Sequence, residues 1–136
     1  MTRPVVFDTS AIISAAITPN SNAALALEYG FKNAKVLVST ATFEELRRKL
    51  TSQKFKKYFV GNEMENLLTR FRELATWIEP ETVEAVSRDS EDDMFLAVAK
   101  AGDARQIVTL AKDLLVLNPW RGIEILKPYD FLVSVS

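Results

Sequence analysis

The stretch Val5-Val6-Phe7-Asp8-Thr9-Ser10 decides the fold. Three consecutive apolar residues, with no polar residue alternating between them, describe a strand buried on both faces. Strands of that kind belong to parallel sheets covered by helices. The run ends at an acid followed by two hydroxyl residues. Open α/β folds form their sites at the carboxyl ends of such strands, where the next helix begins. Asp8 in that position is either part of a site or a cap on the following helix, and its own neighbourhood leaves both open.

Working outward, the strand covers residues 3–8, and a short helix over 10–17 ends before Pro19. A second helix runs from residue 20 to about 31, with Gly30 near its end. Residues 35–39 (K-V-L-V-S) form a strand. A helix follows over 40–51, with Phe43, Leu46 and Leu50 at helical spacing. Residues 61–76 form an amphipathic helix striped by Met64, Leu67, Leu68, Phe71 and Leu74. Trp77-Ile78 is an edge strand halted by Pro80, and residues 80–89 are a loop. Ser90 caps a helix over 90–102, whose acidic first turn suits the positive end of the helix dipole. A strand at 106–109, a short helix at 111–117, a strand at 123–126 and a helix opened by Pro128 complete the chain. Strands alternating with helices predict a single α/β domain over residues 1–136, with a mainly parallel sheet.

Composition narrows the chemistry. The chain has 48% hydrophobic residues and a net charge of −1, with no Cys and no His. It can bury a substantial core, but it has no disulfide, thiolate or imidazole to work with. Hard-cation chemistry through oxygen ligands remains, as does chemistry on hydroxyl or amine groups. The first apolar run is short and interrupted by Asp8, unlike a signal peptide. No uncharged run approaches the roughly 20 residues of a membrane span. The expectation is a cytoplasmic protein with no membrane partner.

Four acidic positions follow or adjoin the strands. Asp8 ends the first. Glu44 and Glu45 flank the Phe43/Leu46/Leu50 stripe about equally, so helical periodicity does not choose between them. In the segment Asp89-Ser90-Glu91-Asp92-Asp93-Met94-Phe95-Leu96, Asp92 precedes Phe95, Leu96 and Ala99 by three, four and seven residues. That spacing puts Asp92 on the face that packs against the sheet and turns Asp93 about 100° away, beside Lys100. Asp113 follows the strand at 106–109. Each alone reads as an ordinary helix-start carboxylate. Brought together they would repel and raise one another's pKa unless a divalent cation neutralised them, and Mg²⁺ or Mn²⁺ suits an all-carboxylate site.

In this order and spacing the segments resemble the PIN-domain nucleases, in particular the VapC-like toxins of toxin–antitoxin pairs. The likeness is carried by V-V-F-D-T-S at 5–10, F-E-E-L at 43–46 and R-D-S-E-D-D-M-F-L-A-V-A at 88–99. It continues through I-V-T-L-A-K-D-L-L at 107–115 and R-G-I-E-I-L-K-P-Y-D-F-L at 121–132. The resemblance implies a three-layer domain whose five-stranded, mainly parallel sheet has the order 3-2-1-4-5. It implies Asp8, Glu45 and Asp92 as metal ligands and Asp113 as a further catalytic acid. Ser10 stands where the family usually has Asn, and with Thr109 it is a supporting residue. One position departs: where the family pattern reads T-G-D-x-D, this chain reads Thr109-Leu110-Ala111-Lys112-Asp113, so the principal fourth acid is Ala111. The implied activity is Mg²⁺- or Mn²⁺-dependent hydrolysis of single-stranded RNA. The implied partners are a cognate antitoxin and a second copy of the chain. Ala111 supplies the alternative, a PIN-like domain that binds RNA or a protein without cutting.

The substrate would need positive charge. From Leu46 to Tyr58 there is no acid, while Arg47, Arg48, Lys49, Lys54, Lys56 and Lys57 lie there with Phe55 and Tyr58 between them. Such a stretch reads either as a solvated face or as an RNA-binding strip that follows phosphates and stacks a base.

Overall fold

Strand β1 (Arg3–Phe7) is the centre of the sheet in the computed structural model, which describes residues 3–136. It pairs in parallel with β2 (Ala34–Val38) on one side and β4 (Gln106–Val108) on the other. Strands β3 (Thr76–Trp77) and β5 (Glu124–Leu126) complete the edges, also in parallel, giving the order β3-β2-β1-β4-β5. The predicted order and the α/β class hold, and every pairing between the strands is parallel.

Burial on both faces follows from the pleat. Val5 and Phe7 point into one core layer, with residues of α1 (Thr9–Ile17), α2 (Asn22–Asn33), α3 (Thr40–Leu50), α5 (Glu63–Leu74) and α8 (Pro128–Val135). Val6 points into the other, with α6 (Asp93–Ala101) and α7 (Lys112–Leu115). Helix α2 lies so close to the sheet that a Cβ at Gly30 would meet the Phe7 ring at 2.7 Å, so the small residue there is a packing requirement.

Two elements differ from expectation. The basic stretch contains a short helix, α4 (Gln53–Lys56), too brief for periodicity to show. The helix expected from residue 90 begins as a 3₁₀ turn (Ser90–Asp92) and becomes α-helical only at Asp93. This matters because 3₁₀ geometry changes which side chain faces inward.

From β1 the chain winds outward to β2 and β3. It then crosses to β4 and β5 on the other side. The reversal places a crevice beyond the carboxyl ends of β1 and β4, the place where such sheets bind ligands. Among the described residues, no helix is long and apolar enough to cross a membrane.

Candidate active site

At the end of β1, Asp8 has an extended backbone and N-caps α1, its Oδ1 accepting from the Ala11 N–H at 3.0 Å. Oδ1 also accepts from the Ser10 hydroxyl at 2.7 Å, and Oδ2 accepts from the Thr109 hydroxyl at 2.6 Å. Each hydroxyl is held in turn from the turn after β4. The Leu110 N–H donates to Ser10 Oγ at 3.1 Å and the Ala111 N–H to Thr109 Oγ1 at 2.8 Å. Capping and service in a site are therefore compatible for Asp8, since one carboxylate has lone pairs for both. The residue is only 3% exposed. Burial pushes its carboxyl above the usual range, against the hydrogen bonds from Thr109, Ala11 and Ser10 and the positive charge of Lys49.

Helix α3 starts with a capping box in which Ser39 and Thr42 each accept from the other's backbone N–H. The helix then separates the two glutamates that periodicity left equivalent. Glu44 is exposed and pairs with Arg47 at 2.7 Å. Glu45 is buried and pairs with Arg48 at 2.6 Å and Lys49 at 3.4 Å. Both cations also approach Glu91, at 3.8 and 3.9 Å. Lys49 thus brings positive charge to Asp8, Glu45 and Glu91 together.

Asp92 is half-buried, and among the described residues its carboxylate accepts one hydrogen bond, from Ser87 Oγ at 3.3 Å. Desolvation, together with the negative charges of Asp89, Asp8 and Asp113, pushes its carboxyl up to about 6. Asp113, at the start of α7, and Asp89, just before the 3₁₀ turn, each place a carboxylate oxygen within 4.8 Å of one on Asp92 and of each other. Asp89 was not among the acids singled out by sequence. The only signal for it was its place three residues before Asp92, in a segment otherwise read as loop.

Asp93 turns to the side of Lys100 as expected, and the two line one small cavity, but Lys100 pairs with Glu84. Asp93 is 5% exposed, and its Oδ1 accepts from the Val86 and Ser87 N–H groups at 3.1 and 2.7 Å. The physical reason is the loop leading into this helix, which folds over the face that the sheet leaves open and needs an acceptor for its backbone. By fixing Ser87, Asp93 helps to place the hydroxyl that reaches Asp92.

Ala111 sits at the N-cap of α7 with an extended backbone and no capping side chain. The missing acid therefore leaves two needs unmet, a ligand for a cation and a cap for the helix. Leu110 is exposed at the rim.

In the basic stretch, Arg47, Arg48 and Lys49 are engaged with acids. Lys54, Lys56 and Lys57 are exposed and form no ion pair among the described residues. The Lys54 ammonium lies 5.1 Å from the Phe55 ring centroid and that of Lys57 5.4 Å from Tyr58.

Asp89, Asp92 and Asp113 form one cluster, and Asp8 and Glu45 are connected to it through charge. Asp92 feels the charges of Asp8, Asp89 and Asp113, and Lys49 joins Asp8 to Glu45. The donor set is oxygen alone, which fits a hard divalent cation, and the oxygens of Asp89, Asp92 and Asp113 lie within 4.8 Å of one another, close enough to share one.

Comparison with known proteins agrees with this architecture. A sequence profile described as the PIN domain matches residues 4–113. The chain is 37% identical over 117 residues to the uncharacterized protein MJ1680 of Methanocaldococcus jannaschii, covering 84% of this chain and 74% of that protein. Two solved structures share the fold. One is VapBC2 from Rickettsia felis, bound to a DNA fragment from its promoter, with a TM-score of 0.60 and 14% identity over 90% of this chain and 96% of that one. The other is PAE2754 from Pyrobaculum aerophilum, with a TM-score of 0.59 and 18% identity over 98% of this chain and 90% of that one.

Proposed function

Since the chain belongs to the PIN-domain family, we propose that it is a divalent-metal-dependent endoribonuclease that cleaves single-stranded RNA, the toxin of a toxin–antitoxin pair. The observation that carries this reading is the crowding of Asp92 against Asp8, Asp89 and Asp113 at the switch point of the sheet. Such a concentration of negative charge is costly without a cation.

Asp8, Glu45 and Asp92 would hold Mg²⁺ or Mn²⁺, with Asp89 and Asp113 as the nearest further carboxylates where Ala111 provides none. The bound ion supplies charge to polarise a phosphate oxygen and to acidify a water. The chain does the rest. Ser10, Ala11 and Thr109 fix both oxygens of Asp8, so that carboxylate is set in place before substrate arrives. Among the described residues the Asp92 carboxylate accepts from Ser87 alone, through Oδ2, so its other oxygen is available to orient the attacking water and accept its proton. In-line attack on the phosphodiester then leaves a 5′-phosphate and a 3′-hydroxyl. Arg47, Arg48, Lys49, Lys54, Lys56 and Lys57 supply positive charge for the phosphate backbone.

The test is Mn²⁺ binding by calorimetry together with cleavage of an end-labelled RNA panel, with and without chelator. Absence of both at millimolar Mn²⁺ ends the nuclease reading. Metal or RNA binding without cutting selects the second reading, favoured by Ala111, of a domain that binds without cleaving. The antitoxin and a second copy are the proposed protein partners. Leu25 on α2 and Leu74 on α5 are exposed and offer apolar surface for them. Light scattering of the chain alone, and after co-expression with the product of the adjacent reading frame, measures both associations. A cytoplasmic location accompanies this reading.

A further inference from the structure

A groove of about 450 Å³ runs from the Asp8 corner away from the sheet. One face of α1 forms its floor, with Thr9, Ser10, Ile13, Ser14, Ile17 and Thr18 recurring at the spacing of successive helical turns. Lys49 from α3, and Lys54 and Phe55 from α4, form the other wall. The floor carries no charge, and Ile13, Ile17 and Phe55 make its middle apolar. The groove begins at the candidate centre itself, because Ser10 both lines it and donates to Asp8. Thr9 lines it too. Thr9 is 6% exposed, and its Oγ1 is a buried polar atom with no hydrogen-bond partner.

An apolar trough with the Lys49 and Lys54 ammonium groups along one wall suits a flat, largely apolar ring with anionic groups beside it. The geometry points to a subsite for one unstacked nucleotide: the base lies against Phe55 over Ile13 and Ile17, and the adjoining phosphates meet Lys49 and Lys54. This deepens the nuclease reading and rests on it. Lys54 now covers the Phe55 ring, so an arriving base takes over that ring face and Lys54 moves to phosphate. A paired and stacked base cannot enter such a groove. Selection of single strands over duplex then arises here, beside the acids, rather than at the more distal Lys56 and Lys57.

The chain provides its own controls. Fluorescence anisotropy with Ca²⁺ in place of Mn²⁺ would compare three labelled ligands of equal length: oligouridine, the same strand in a duplex, and an abasic ribose–phosphate oligomer. Wild type should bind oligouridine at least tenfold tighter than the other two. Phe55→Ala should lose that preference while keeping its affinity for the abasic oligomer, and Phe55→Trp should restore it. Lys54→Ala should weaken all three ligands and lower the salt dependence by about one ion, whereas Lys56→Ala should alter none of their ratios. Circular dichroism confirms that each variant is folded. Equal wild-type affinity for oligouridine and the abasic oligomer, or an undiminished preference in Phe55→Ala, overturns the subsite. If RNA is cut nonetheless, the nuclease reading survives without it. Because the chain lacks cysteine, Phe55→Cys is a unique thiol. Protection of that thiol by co-expressed antitoxin but not by oligouridine would assign the groove to the protein partner.

Discussion

Asp8 and Asp92 are held by opposite means. Asp8 is deeply buried and accepts three hydrogen bonds, two of them from hydroxyls that are themselves anchored by the turn after β4. Asp92 is half-buried, its carboxylate accepts a single long hydrogen bond among the described residues, from Ser87, and it feels three other aspartates. The first corner is preorganised by its hydrogen bonds, although burial still disfavours its charge. The second is frustrated until something positive arrives. A site that joins the two combines fixed geometry with a strong demand for a cation.

Cutting the anchored corner should have the largest effect. Asp8→Ala removes a helix cap and strands the hydroxyls of Ser10 and Thr109 and the N–H of Ala11. A loss of about 2–3 kcal/mol is expected from the cap and the unsatisfied partners. Urea unfolding measures it, and an unchanged midpoint would show that the network holds nothing. Mn²⁺ binding should vanish in the same variant.

The frustrated corner should respond with the opposite sign. Asp92 has a folded-state pKa of about 6 against an ordinary value of 3.8, so the folded state binds its proton more tightly. Its contribution is therefore full below pH 4 and declines as the pH rises through 6. An unscreened shift of that size corresponds to roughly 3 kcal/mol, which exposure to solvent reduces to about 1 kcal/mol. Asp92→Asn should accordingly stabilise the metal-free protein by about 1 kcal/mol at pH 7.5 and by almost nothing near pH 4, as followed by thermal melts at both pH values. Its Mn²⁺ affinity should fall at least tenfold. A variant that is destabilised at neutral pH would erase the contrast between the corners.

Ala111→Asp tests whether the corners already make a complete site. It restores the acid and offers α7 a cap, so Mn²⁺ affinity should rise several-fold in calorimetry. No gain would mean that Asp89 and Asp113 already fill the role. The smallest effect is expected from Lys49→Gln. This variant removes the cation that pairs with Glu45 and favours ionised Asp8, and it should tighten Mn²⁺ binding about threefold. Weaker binding would show that Lys49 organises the acids instead of competing for them.

Much of this was legible beforehand because it depends on local rules. The buried run at Val5–Phe7 and the alternation of strands and helices follow from hydrophobic pattern, whereas Ser90 is not the cap it was expected to be: the 3₁₀ turn puts Asp89 there, its side chain accepting from the Glu91 N–H. The resemblance carried by five segments supplied the strand order and singled out Glu45. The helical wheel gave the direction of Asp93 but not its burial, because the wheel considers only the helix and the sheet. A loop folded over the remaining face made that residue the anchor of Val86 and Ser87. Asp89 was passed over for the same reason, since its place beside Asp113 depends on how that loop closes.

The sequence by itself determined the kind of chemistry open to this protein. Without His or Cys, any metal must be a hard one held by oxygen, and the acids had to lie near the strand ends because the pattern put them there. The tertiary structure alone decided which carboxylates meet. Asp8 and Thr109 are separated by about a hundred residues, yet they share a hydrogen bond of 2.6 Å because β1 and β4 are neighbours in the sheet. Proximity of that kind arises from strand pairing and loop closure, which no local pattern records.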